Sequence, residues 1–212
     1  MSGLFITLEG SEGSGKSSGA VFLQSRLQAC GHSVVLTREP GGTQLGEVLR
    51  DIVLTREDLS CTAMAELLIV FAARAQHLEA VIEPALADGK VVLCDRFTEA
   101  SYAYQGAGRA LGSDAVGVLE QLVHGQRQPD LTLMLDVAPE IGMARARDAG
   151  RLDKIERESA DFFERVRAGY LARAAAWPER IRVVDAAPAP DTVRAALWRE
   201  VSTLLAARGL AC

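Results

Sequence analysis

The densest chemistry in the chain lies near its start. Gly10-Ser11-Glu12-Gly13-Ser14-Gly15-Lys16-Ser17 matches the pattern G-x-x-x-x-G-K-[ST] and is followed by Ser18. In such a run the glycines let successive backbone N–H groups converge on phosphate oxygens. A helix beginning at Lys16 adds the positive end of its dipole. The Lys16 ammonium would neutralise β- and γ-phosphate oxygens, and the Ser17 hydroxyl would ligate Mg²⁺. Guanine-reading switch proteins use an Asn-Lys-x-Asp loop, and this chain has no asparagine, so ATP is the expected nucleotide. Glu12 is the odd member of the run. A carboxylate among phosphates is repelled unless it faces a hydroxyl, a metal or a cation. A solvent-facing loop charge and a contact with a second substrate are both open readings.

Further groups suggest a second anion and a flat ring. Asp95-Arg96 pairs a strand-end acid suited to Mg²⁺ with a guanidinium that can grip a phosphate bidentately. Arg38 stands at a similar strand end, where a solvated charge is an equal alternative. Phe71 and Arg74, spaced i, i+3, share a helix face and could sandwich a heterocycle. His77 reads as a surface or capping residue. Ser101 and Gln105, four apart, offer a hydroxyl and an amide to a base edge, and Tyr102 and Tyr104 supply rigid walls. Finally, residues 145–157 carry Arg145, Arg147, Arg151, Lys154 and Arg157 around Gly150. A solvated helix face is the ordinary source of such a run. A lid closing cations over a γ-phosphate is the functional reading.

Five short apolar runs must position these groups: Leu4–Glu9, Val34–Thr37, Val91–Asp95, Leu131–Asp136 and Ile181–Asp185. Each has the length of a buried strand. Helical spacing fills 16–30, 44–54, 62–87, 113–124, 139–149, 156–176 and 191–208. This alternation predicts one α/β domain over residues 1–212, with a parallel sheet covered by helices on both faces. Ligands in such sheets bind beyond the carboxyl ends of the strands, which gathers Glu9, Arg38, Asp95 and Asp185 on one rim.

Composition excludes other classes. With 23 basic against 28 acidic residues the net charge is −5, so the basic footprint of a nucleic-acid binder is missing. No apolar run approaches the roughly 20 residues of a membrane span. Cys30, Cys61, Cys94 and Cys212 show no metal-ligand spacing, and reduced thiols in a cytoplasmic protein are the expectation.

Taken together, Leu8-Glu9-Gly10…Gly15-Lys16-Ser17, Thr37-Arg38-Glu39-Pro40-Gly41-Gly42-Thr43, Phe71-Ala72-Ala73-Arg74-Ala75-Gln76-His77, Asp95-Arg96-Phe97 and Ser101-Tyr102-Ala103-Tyr104-Gln105-Gly106 resemble the bacterial thymidylate kinase family. The motifs occur in the family's order and span nearly the whole chain. The resemblance implies a P-loop NTPase three-layer sandwich with sheet order 2-3-1-4-5, acting as a homodimer. It implies γ-phosphoryl transfer from MgATP to dTMP, giving dTDP. By the same resemblance Phe71 would stack on thymine, and Arg74, Ser101 and Gln105 would contact the base. Tyr104 would crowd the 2′ position, and Glu12 would accept the 3′-hydroxyl. Arg38 and Arg96 would hold the dTMP phosphate, with Arg50 assisting. Ser17, Glu9 and Asp95 would sit near Mg²⁺, and Arg147, Arg151 and Lys154 would share the lid's catalytic work. The lid departs from the family pattern, with Lys154 where an arginine is common and Arg151 where an acid is often found. Adenine contacts stay open, with Arg145 and the 185–190 loop as candidates. Rival readings are another nucleoside monophosphate or deoxynucleoside kinase, or a non-catalytic ATP-binding switch.

Overall fold

The computed structural model describes residues 3–150, 154–210 and 212. Five strands, β1 (Leu4–Glu9), β2 (Val34–Arg38), β3 (Val91–Asp95), β4 (Leu131–Asp136) and β5 (Ile181–Asp185), form one sheet. All neighbours pair in parallel, in the order β2-β3-β1-β4-β5. β1, central and buried on both faces, is an apolar run from Leu4 to Ile6 with Leu8 beyond, for that reason.

The period of two along β1 decides which helices meet which side chains. Leu4, Ile6 and Leu8 pack with α1 (Lys16–Ala29) and α9 (Pro190–Ala207) through Leu23, Leu27, Leu197 and Val201. Phe5 faces the other way, onto Leu78, Ile82 and Phe97. On that second side lie α3 (Ala63–His77) and α8 (Ala160–Ala176), the latter bringing Phe162, Phe163, Val166 and Tyr170 into a further cluster. α2 (Gln44–Leu54) packs on α3, and α6 (Ser113–His124) does the same from its other end of the chain.

Two helical stretches differ from the simple periodicity. Residues 62–87 do not form one helix: α3 passes into a π-helical turn at Leu78–Ile82, then α4 (Glu83–Ala87) restarts on Pro84. Pro84 lacks an N–H, so a regular ladder cannot run through it. The second begins as α5 (Thr98–Ser101) and widens to a π-helical Tyr102–Gly108, where Arg109 N–H reaches back five residues to the Tyr104 carbonyl at 2.8 Å. Such widened turns recur at functional sites, and this one carries Tyr104 and Gln105. α7 (Pro139–Ala149) ends at Gly150, with φ 138°.

The cysteine expectation is corrected in part. Cys30, capping α1, is joined by a disulfide to Cys212, with Cα atoms 4.8 Å apart. α1 and α9 lie side by side, so the end of α1 meets the end of the chain. A sequence separation of 182 hides that encounter. Cys61 and Cys94 are free thiols, and burial pushes the Cys94 thiol well up. No described helix is long and apolar enough to cross a membrane.

Candidate active site

The glycine-rich run joins β1 to α1 and wraps Lys16, whose ammonium donates to the Ser11 carbonyl at 2.7 Å. Burial, with Arg96 second, lowers the Lys16 pKa to about 8. Ser14 Oγ donates to the Ser11 carbonyl and Ser18 Oγ to the Gly15 carbonyl, closing the loop on itself. The loop also rests directly on α7. A Cβ on Gly13, at φ 66°, would come within 1.9 Å of the Gly142 carbonyl oxygen.

Strand parity separates two acids that the sequence groups together. Asp95 follows Val91 and Leu93 onto the α1 side and accepts from Ser17 Oγ at 2.7 Å. These hard oxygen donors beside the phosphate loop fit a divalent cation. Glu9 follows Phe5 and Thr7 to the opposite side. Its carboxylate is fully buried, accepting from Phe97 N–H at 2.7 Å and Tyr170 O–H at 2.9 Å. Burial raises its pKa to about 7, against the pull of Arg96. The expectation that Glu9 shares the metal shell is therefore corrected.

A cavity of about 300 Å³ opens on the β3 side of the loop. Glu12 explains itself there: its carboxylate accepts from Arg96 Nη2 at 2.7 Å and from Tyr104 O–H at 2.6 Å. Arg96 is held in the left-handed backbone region, φ 71°, by its N–H on the Leu8 carbonyl. Strain of that kind marks sites where the surroundings dictate a side chain's direction. Its guanidinium lies over the Tyr104 ring and donates to the Gly10 carbonyl at 3.0 Å. Arg38 pairs with Glu47, Arg50 donates to the Pro40 carbonyl, and both border the cavity.

The cavity meets α3 through Val70 and Arg74. Arg74, 1% exposed, donates from Nε to Glu39 at 2.6 Å and from Nη2 to the Phe97 carbonyl at 2.9 Å. Its Nη1 is buried with no hydrogen-bond partner, and so is Ser101 Oγ; both residues border the cavity. His77 is wholly buried rather than at the surface. Its two ring nitrogens bond Glu39 at 2.9 Å and Thr37 at 2.7 Å. Glu39, His77 and Cys94 lie within 4.8 Å of one another, but the positive charge there is Arg74.

Phe71 is the clearest correction. It does not border the cavity, and Val70 does. Phe71 is turned about a hundred degrees away, the rotation of one helical residue. It packs on His124 at 5.9 Å and beneath the Arg74 guanidinium at 4.5 Å. Val70 and Arg74 are four apart and share the cavity-facing edge, a spacing the i, i+3 pair obscures.

A second cavity of about 330 Å³ lies across the loop, sharing Gly13 and bordered by Ser14, Gly15, Ser18, Arg145 and residues 186–190. Arg145 donates to the carbonyls of Ala186 and Ala187 at 2.8 and 2.9 Å. Of the catalytic lid candidates, the described Arg147 and Lys154 border neither cavity. Arg147 is exposed on α7, while Lys154 donates to the Arg56 and Leu59 carbonyls. Arg151 lies outside the described residues. The lid's described edge reaches the first cavity through Ile155 and Glu156.

The thymidylate kinase family model matches residues 8–197. The chain belongs to the thymidylate kinase family. A thymidylate kinase of Pseudomonas putida is 55% identical over 205 residues, covering 97% of this chain and 96% of the relative. One of Pseudomonas syringae pv. tomato is also 55% identical over 205 residues, covering 97% and 98%. The crystal structure of thymidylate kinase from Ehrlichia chaffeensis superposes with a TM-score of 0.77 at 31% identity, covering 95% of this chain and 99% of that one. The fold of this family is the P-loop NTPase sandwich, and the sheet order observed here is that of the family.

Proposed function

We propose that this chain transfers the γ-phosphoryl group of ATP to dTMP, the acceptor lying in the first cavity and ATP in the second. One observation carries the reading: two nucleotide-sized cavities meet at a phosphate loop, and the first is bordered by Arg74 and Ser101, whose Nη1 and Oγ are buried without a hydrogen-bond partner. Unpaired buried polar groups are costly, and a base edge would satisfy them. The wall beside that edge is Val70. Glu12 and Tyr104 meet the sugar, and Arg38, Arg50 and Arg96 face the acceptor phosphate. Gly10 to Ser18 cradle the donor's phosphates, with Arg145 and the 186–190 loop around adenine.

The acceptor phosphate oxygen is already anionic, so no general base is required. Catalysis is positioning and charge neutralisation by Lys16, Arg96 and the lid segment 145–157. Arg147, Arg151 and Lys154 stay candidates for the lid's part once it closes. Ser17 and Asp95 would hold Mg²⁺, which would neutralise phosphate charge when bound. Exposed Met64 and Leu68 on α3, with Val118 and Leu122 on the adjoining α6, support a homodimer. The cytoplasm, where nucleotides and Mg²⁺ abound, is the setting this chemistry suits.

An ADP-release assay with ATP and a panel of dTMP, dUMP, UMP, dGMP and thymidine tests the assignment. The highest kcat/KM is expected with dTMP. A higher value with another acceptor would transfer the chain to a different kinase, and no ADP from any acceptor would favour an ATP switch.

A further inference from the structure

Gln105 borders the first cavity, and its amide has two unlike ends: an N–H₂ donor and a carbonyl acceptor. Which end meets a ligand is settled behind the cavity wall by Glu66. Gln105 Nε2 donates to Glu66 Oε1 at 2.8 Å. Glu66 is buried near the start of α3 and does not border the cavity. Arg109 forms an ion pair with it, donating from Nε to Glu66 Oε2 at 3.2 Å, with Nη2 at 3.1 Å. A carboxylate paired with a guanidinium accepts, so a flipped amide would set oxygen against oxygen. Gln105 Oε1 is thereby left as the cavity-facing end. The same cavity is bordered by Arg74, whose unpartnered Nη1 is a donor of equally settled sign, since a guanidinium has no acceptor. Ser101 Oγ adapts to either role.

We infer that Glu66 is a positioning residue that fixes the polarity of Gln105 and so restricts the acceptor pocket to pyrimidines bearing a ring N–H beside a carbonyl. This deepens the dTMP reading and rests on it. Thymine and uracil present N3–H to Gln105 Oε1 and a carbonyl oxygen to Arg74. A 4-aminopyrimidine inverts both signs: its bare N3 meets an acceptor and its amino group meets a donor. Two opposed contacts should cost at least a hundredfold in kcat/KM.

The test compares dTMP with 5-methyl-dCMP, which has the same shape and methyl group. In Glu66→Gln the new amide accepts or donates, so Gln105 is free to turn over. The dTMP KM is expected to rise about tenfold, and the preference for dTMP over 5-methyl-dCMP to fall at least tenfold. The KM for ATP should be unmoved. A purely structural loss would weaken both acceptors alike, so an unchanged preference ratio overturns the inference. Should Glu66→Gln not fold, the unaltered chain answers by NMR with [¹⁵N3]dTMP. The bound imino proton is expected in slow exchange with water; exchange as fast as in the free nucleotide overturns the inference. If the unaltered chain shows no preference for dTMP at all, it is the acceptor assignment that fails.

Discussion

Lys16 is a cation kept where cations are uncomfortable, buried under its own loop and close to Arg96. Its pKa of about 8 lies well below that of a free lysine. A triphosphate binds the charged form, so ATP should raise that pKa and draw in a proton on binding. Affinity for ATP is therefore expected to hold below pH 8 and to fall by up to tenfold per pH unit above it. Calorimetric titrations at pH 7, 8 and 9, each in buffers of different ionisation heat, read both affinity and proton uptake; flat affinity to pH 9 would contradict this. At this scale the sequence was informative. The motif around Lys16, the acid at Glu12 and the arginine at Arg96 all meet in one place, with Glu12 explained by two partners rather than one. Glu66 and Glu39 were not legible, because a buried acid is chosen for its partner. Those partners, Gln105 and Arg74, lie 39 and 35 residues away.

Helix α3 shows what spacing conveys and where it misleads. Its aromatic was the natural candidate for a ring-stacking surface, yet one residue of rotation gives that edge to Val70 and sends Phe71 into the core. The two substitutions should separate accordingly. Val70→Ala removes two methyl groups from the pocket wall, about 1.5 kcal/mol of burial, and should raise the dTMP KM roughly tenfold while lowering stability much less than Phe71→Ala does. Phe71→Ala empties a core site and should cost about 3–5 kcal/mol of stability. Urea melts beside steady-state KM values distinguish them, and the reverse pattern would restore Phe71 to the pocket. The division between Glu9 and Asp95, by contrast, was available from alternation alone. Counting by twos from the apolar residues of β1 and β3 sends one acid toward α8 and the other toward α1. The widened turns at Leu78–Ile82 and Tyr102–Gly108 leave no comparable trace in residue type.

At the scale of the molecule, all five strands and their parallel pairing were legible, because each is a short apolar run between helical stretches. Strand order was not. Nothing local tells β3 to insert between β1 and β2, and the order rested on family resemblance. The disulfide between the ends of α1 and the chain was equally out of reach. The outer face makes its own prediction. Leu122 is 78% exposed and Val118 68%, on a helix packed against α3. Leu122→Glu should convert a dimer to a monomer in sedimentation velocity, with the monomer's melting still cooperative; an unchanged sedimentation coefficient would place the interface elsewhere.

That outer face and the cavity-facing edge are two sides of a single rod. Met64 and Leu68 look outward from α3, while Val70 and Arg74 look inward. Whatever seats on the outside braces the Val70–Arg74 edge, while the second cavity is built on α1, α7 and the 186–190 loop. If two subunits meet on that face, separating them should blunt recognition of the acceptor well before it disturbs the hold on ATP.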